Sequence, residues 1–411
     1  MTKFKNIEAI VFDADDTLWD CQSHFEAVEL RYCELLTEWC DAEEAATALF
    51  NTERSNMALL GYGSKAFTIS VIESALRMSK GKISQASLEE LIQMGKQLLL
   101  MPCTPLPGVK ETLEKAVNDG VNSENTEIAF FGGSFTAIER DYMISLLEEA
   151  KPFIENESFC GIRISTRPDA IDDEILSILK EYKVTSIELG AQSTDPQVLL
   201  LNHRGHTRDD IIKASRLIKE KGFSLGLQMM TGLLGDTPEK SLKTAEDIIS
   251  LKPETVRIYP TIVLEGTYLG ELYKKGEYAP QTVEEAVELC AVLLKRFYEE
   301  NITVIRLGLH SGGNVEEGFI SGPYHPAFGE LCESKIYLEK AKQILLEKYP
   351  LENKNICSLS QKKIITLYVN DREISKMTGQ KSVNKIALKR AGWEVSVKGM
   401  KTLGKYEIVI D

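Results

Sequence analysis

The apolar positions of the chain follow three rhythms in succession. Residues 7–12 (IEAIVF) are a short apolar run that predicts a buried strand. From 22 to about 103 apolar residues recur every three or four positions, in HFEAVELRYCELLTEWC, EEAATALF, KAFTISVIESALRM and SLEELIQMGKQLLL, which predicts amphipathic helices. PLPGVKETLEKAV (105–117) predicts a turn at Pro107-Gly108 and one more helix. NDGVNSEN (118–125) is polar and turn-rich and marks a junction. Beyond it the rhythm changes: strands predicted at 126–132, 161–166, 185–190, 224–230, 255–260 and 303–308 alternate with helices such as DDEILSILKEYK and RDDIIKASRLIKEKG. Repeated strand–helix units predict a parallel sheet or partial barrel. After a linker around 351–361 the tail reads strand (KIITLYV), helix (REISKMTG), helix (SVNKIALKRAG) and two strands (WEVSVKG, YEIVID).

A chain of 411 residues exceeds one ordinary core, so two or three domains are predicted. No apolar run approaches the roughly 20 residues that span a bilayer, and the start lacks the apolar stretch of a signal peptide, which predicts a cytoplasmic protein. Charge is unevenly distributed. The net −14 divides into +7 for residues 353–411 and −21 for the remainder, so nucleic-acid affinity is expected only of the tail. The eight cysteines (Cys21, Cys33, Cys40, Cys103, Cys160, Cys290, Cys332, Cys357) are scattered, with no CxxC pair and no CxxxCxxC triplet. Reduced, mostly buried thiols are expected.

At the end of the first predicted strand, FDADDTLWD sets Asp13 and Asp15 two residues apart, followed by Thr17. Residues i and i+2 leave a strand on the same side, so the two carboxylates could share a divalent cation, one attacking phosphorus while the other moves a proton. This resembles the DxDxT motif of the HAD hydrolase superfamily, and the helical stretch 22–103 resembles the cap of its phosphatase members. The resemblance implies Asp13 as nucleophile, Asp15 as acid/base, Thr17 as stabiliser of the loop, and magnesium on Asp13 and Asp15. The Ser/Thr, Lys and distal acidic pair that complete such a site do not follow in the sequence.

From TEIAFFGGSFTAI onward a second resemblance takes over. FFGGSFT (130–136), ISTRPDAI (164–171), IELGAQS (187–193), LNHRGHT (201–207), LQMMTGLLGDT (227–237), VRIYPTIVLEGTYL (256–269) and IRLGL (305–309) resemble, in order, the radical SAM enzymes of the Elongator catalytic-subunit type, which modify wobble uridine in tRNA. The residues suit a polar ligand at the strand ends. Gly132 and Gly133 let a ligand approach the backbone, Ser165 and Arg167 leave the next strand together, Gln192 ends the following one, and Arg204 could clamp a carboxylate. The resemblance implies S-adenosylmethionine on Gly132, Gly133, Ser165, Arg167, Gln192 and Arg204, and a 4Fe-4S cluster. The CxxxCxxC loop that would hold that cluster is missing, because HAD-like sequence stands in its place.

In the tail, Gly379-Gln380-Lys381-Ser382 between two helices looks like the GxxG loop of a KH-type RNA-binding unit, with Ser382 for the second glycine. Gly379, Lys381, Lys385, Lys389 and Arg390, with Lys376, would contact an RNA backbone, tRNA being the implied partner. The expected architecture is α/β. It comprises a HAD-like segment (1–117) with its helical cap, a junction (118–125), a partial parallel radical SAM barrel with a C-terminal extension (126–350), and a small basic α+β unit (361–411). Three functions are open at this point: a tRNA-modification-related radical SAM protein impaired by the missing motif, an incomplete magnesium-dependent phosphatase, and a non-catalytic RNA- or SAM-binding protein. The first strand could also fill the gap before TEIAFFG in the barrel.

Overall fold

The structure is a computed structural model that describes residues 10–13, 19–20, 22–60, 63–99, 104–105, 109–118, 124, 126–132, 134–309, 318–349 and 364–411. The chain divides into two compact units. The first comprises Met1–Gly190 with Leu217–Ser224 and Gly266–Glu271. The second comprises Ala191–Arg216, Leu225–Glu265 and Leu272–Asp411.

In the first unit, strands β1 (Ile10–Asp13), β2 (Glu127–Phe131), β3 (Gly161–Thr166) and β4 (Val184–Gln192) run parallel and pair in that order. The N-terminal strand therefore does join the strand at TEIAFFG: Ile10 pairs with Ile128, Phe12 with Phe130 and Asp13 with Phe131. Asp15 and Thr17 lie outside the described residues. Helices Arg140–Glu155 and Asp173–Glu181 make the crossovers, and each is capped by an acidic side chain that accepts from a backbone N–H, Glu139 from Tyr142 and Asp172 from Ile175. Ile162, Ile164, Leu176 and Leu179 are buried completely, which closes one face of β3 under its helices.

Four helices, Gln22–Leu35, Ala42–Leu60, Ser64–Met78 and Gln85–Leu98, precede these crossovers. The sequence predicts that this stretch exposes apolar surface for want of a sheet to cover it. The helices instead bury a core of their own around Tyr32, Leu36, Leu49, Val71, Ala75 and Leu91, although Leu30, Phe50 and Leu59 remain exposed. Tyr32 satisfies its buried hydroxyl on Ser74 (2.7 Å), and burial pushes that phenol up to about 12.

In the second unit, β5 (Ser224–Thr231), β6 (Thr255–Pro260) and β7 (Thr303–Leu307) are parallel, with a bulge in β7 between Val304 and Arg306. Helix Val283–Glu299 carries a reciprocal cap in which Thr282 and Glu285 each accept from the other's backbone. The tail forms a separate three-stranded sheet with β8 (Ile365–Val369) central, parallel to β9 (Val395–Gly399) and antiparallel to β10 (Val409–Ile410). No helix among the described residues is long and apolar enough to cross a membrane.

The tail rests on the helix Phe328–Lys348. The Nδ2 of Asn384, 2% exposed, shares its two hydrogens among Ser334 O (2.9 Å), Ser334 Oγ (3.0 Å), Met377 O (3.1 Å) and Lys376 O (3.2 Å). Removing this amide strands buried acceptors without a donor. Asn384→Ala should therefore cost about 2 kcal/mol. A urea midpoint equal to that of the unchanged chain would show that the amide does not hold the tail.

Candidate functional site

In parallel strand–helix units, side chains at the carboxyl ends of strands collect where ligands bind. In the first unit β2 is followed by Gly132, whose φ of +154° suits glycine; Gly133 lies outside the described residues. Just beyond, Thr136 joins two of the segments singled out in the sequence. Its N–H donates to Thr166 Oγ1 (3.1 Å), the two hydroxyls lie 2.6 Å apart, and its hydroxyl reaches Ala170 O (2.6 Å). Phe130 and Phe135 stack at 4.9 Å beside it. Ser165 is buried near the end of β3.

Arg167 leaves β3 as expected but forms a fork with Asp169, at 3.0 and 2.5 Å, and that hydrogen-bonded carboxylate raises its pKa. Its charge is met locally. The neighbouring ladder is neutralised in the same way: Arg163 binds Glu127 (2.6 Å) and the buried Glu188 (3.3 Å). Glu127 also accepts from the Ser186 hydroxyl (2.8 Å).

The second unit differs. Gln192 closes β4 in the left-handed region (φ +61°). The LNHRGHT segment is then fixed from several sides. The His206 ring, 5% exposed, sits 3.1 Å from Ala191 O, and Arg204 N donates to Leu199 O (2.9 Å). The Asn202 amide exchanges hydrogen bonds with the backbone of Leu234, donating to its O (2.9 Å) and accepting from its N (3.2 Å). Asp236 accepts from Gly232 N and Ser241 Oγ, and burial raises its pKa.

Held by this frame, Arg204 donates to Met230 Sδ at 3.8 Å, and desolvation lowers its pKa. No carboxylate among the described residues pairs with it. Of the predicted contacts for a ligand carboxylate, then, Arg167 is already occupied and Arg204 is not.

The fit to a 4Fe-4S cluster is poor on donor chemistry. Among the described residues no three His, Cys, Asp or Glu side chains stand together to hold a metal. Cys290 and Cys332 are buried thiols, burial pushing Cys290 up to about 12 and Cys332 higher still. A cluster takes thiolates. Cys21, Cys103 and Cys357 lie outside the described residues.

In the tail, Lys381 and Ser382 adopt left-handed backbone, and a Cβ on Gly379 would sit 2.7 Å from Val383 and 3.1 Å from Ser334. This turn is packed inward. Lys376 is held by Glu333 (2.5 Å) and Glu373 (3.1 Å), and Lys389 pairs with Glu394 (3.0 Å). Lys381 and Arg390 are exposed and Lys385 is half-buried.

Residues 106–248 match the model of the radical SAM superfamily, and residues 253–338 match that of the Radical_SAM C-terminal domain. A tRNA uridine(34) acetyltransferase of Methanocaldococcus jannaschii is 32% identical over 211 residues, 46% of this chain and 39% of that protein. Human Elongator complex protein 3 is 30% identical over 210 residues, 46% of this chain and 38% of its own. A solved structure of Methanocaldococcus infernus Elp3 with an N-terminal deletion covers 57% of this chain and 58% of its own, at 26% identity and a TM-score of 0.48. The chain spans about two-fifths of the length of these curated relatives.

The LNHRGHT frame also depends on Arg208, whose fork reaches Asp247 at 2.9 and 3.0 Å, with Lys243 at 2.7 Å. Burial alone would raise the Asp247 pKa, but Arg208 and Lys243 hold it well below the usual carboxylate range. A depressed folded pKa stabilises the protein above the unfolded value near 3.9, and that stability is lost as pH falls through the folded one. Asp247→Asn should thus lower stability at pH 7 and flatten its loss below about pH 4. Urea midpoints measured across that range test this, and an unchanged acid limb would refute it.

Proposed function

The chain is a radical SAM protein related to the Elongator-type proteins, and from that premise we propose that it binds S-adenosylmethionine without cleaving it to a radical. The observation that carries the reading is Arg204, an exposed guanidinium on a loop fixed by Asn202 and His206, with Met230 as its hydrogen-bond acceptor and no acidic partner among the described residues. A guanidinium without a carboxylate partner, held on a fixed loop, is a ready fork for an anionic guest. The methionine carboxylate of the cofactor has the charge and the two-oxygen geometry to meet it. Gln192, in the same unit, is the accompanying contact that the family resemblance implies.

Reductive cleavage needs an iron–sulfur cluster, and among the described residues no three thiols stand together to supply its ligands. The protein's own contribution is thus to bind and orient. RNA of the tRNA class is the second ligand in this reading, suggested by the name of the Methanocaldococcus jannaschii relative and by the exposed Lys381 and Arg390 on the tail.

Equilibrium dialysis with radiolabelled S-adenosylmethionine should show saturable binding that weakens about tenfold in Arg204→Ala, the loss of one charge-assisted fork. After anaerobic reconstitution, iron should stay well below four per chain, and reductant should release no 5′-deoxyadenosine. Four irons per chain with 5′-deoxyadenosine formation would overturn the non-cleaving assignment, and equal affinity in Arg204→Ala would overturn the residue assignment.

A further inference from the structure

A cavity of about 360 Å³ opens at the foot of the second unit's sheet, among the end of helix Val283–Glu299, the start of β7 and the loop that carries Lys405 and Tyr406. Strands β5, β6 and β7 are parallel, so their starts and their ends lie at opposite edges of the sheet. Thr303 and Val304, which line the cavity, begin β7, whereas Met230, which Arg204 touches, lies near the end of β5. The cavity is therefore separate from the cofactor contact. It sits at the edge that in parallel strand–helix folds ordinarily serves stability.

Its walls carry more constraint than packing requires. Tyr406, 4% exposed, holds a left-handed backbone (φ +60°), a conformation that is costly for a bulky residue. Its N–H donates to the Tyr337 hydroxyl (2.8 Å), and its ring packs 5.4 Å from that of Tyr337 and edge to face with Tyr298 at 5.0 Å. The Lys405 ammonium lies 5.0 Å over the same ring, and the Tyr298 hydroxyl donates to Lys405 O (3.3 Å). Backbone strain that the surroundings maintain gathers at ligand clamps. Here it fixes one aromatic wall before any guest arrives, which lowers the cost of binding.

The lining selects the chemistry of that guest. Leu294, Ile302 and Val304 supply apolar surface, and Tyr298, 45% exposed, leaves part of its ring open. Lys405, the charged residue of the lining, is paired with Glu333 (2.7 Å), so the cavity offers no unmet charge. At the rim the side-chain amide of Asn301 and the hydroxyl of Thr303, both on exposed residues, have no hydrogen-bond partner among the described residues. Between them they provide donors and acceptors. Ligand cavities run from about 300 to 1,000 Å³, so this one, at the small end, suits one or two fused rings and not a nucleotide. We propose that it binds an uncharged, planar heteroaromatic molecule of that size, packed against Tyr298 and hydrogen-bonded at its edge by Asn301 and Thr303. A ring gains from the aromatic wall, whereas a charged analogue would lose hydration against apolar surface with no free counter-charge to meet it.

Indole, indole-3-acetate and tryptamine present one ring system as a neutral molecule, an anion and a cation, and calorimetric titration of the full chain compares them. Indole should bind saturably at one site per chain and more tightly than either charged probe. Asn301→Gly removes the rim amide while suiting the left-handed backbone at that position (φ +58°), and it should weaken indole about fivefold. Tyr298→Ala should weaken it about tenfold, and Tyr298→Phe, which keeps the ring, by much less. Urea transitions report whether each variant is folded; should Tyr298→Ala not fold, Asn301→Gly, at an exposed residue, decides. Absence of saturable indole binding to the unchanged chain, tighter binding of a charged probe, or unaltered affinity in folded Asn301→Gly overturns the proposal. None of these readings depends on S-adenosylmethionine, so the cofactor assignment stands or fails separately.

Discussion

In-register parallel pairing is the constraint on which the other features depend. It fixes which alternate side chains go under the helices and which stand on the opposite face, and a one-residue slip would exchange the two sets. In the first unit the pairing sets Arg163 between Glu127 and Glu188, so the polar face neutralises itself. In the second unit the same rule lines up Gln228, Arg257 and Arg306 on one face. One geometric rule thus yields a structural ion ladder in one place and a row of two guanidinium groups and an amide in another, decided by which residues the strands bring.

Loops complete the site by hydrogen bonds that hold backbone as much as side chain. His206 on Ala191 O, Asn202 on Leu234 and Arg208 on Asp247 touch no ligand themselves, yet together they hold the short loop that carries Arg204. Arg167 illustrates the converse. It leaves its strand where the sequence placed it, but Asp169 two residues later takes its charge.

Much of the architecture was legible from periodicity, because a strand–helix alternation is a local pattern. Strands predicted at 161–166 and 255–260 match the observed Gly161–Thr166 and Thr255–Pro260. The order of elements in the tail was also legible. Less visible was anything set by contacts between distant segments. No local signal reveals that Val304 and Arg306 flank a bulge, that Lys376 is taken by Glu333, or that the Gly379 turn packs against Ser334. The helices before residue 100 were read correctly as amphipathic. Their shared core around Tyr32 and Leu36 was not anticipated, because periodicity says that a face is apolar and not what will cover it.

The pairing of Ile10–Asp13 with Glu127–Phe131 has a wider meaning. A sheet recognises an incoming strand through its amides and carbonyls, which every residue except proline supplies alike. A segment can therefore take a vacant edge on the strength of being extended and apolar, bringing with it whatever loop happens to follow. Architecture and chemistry are then inherited separately. The sheet keeps its form whichever extended segment supplies that edge, because the pairing of Ile10–Asp13 with Ile128–Phe131 is made by backbone alone.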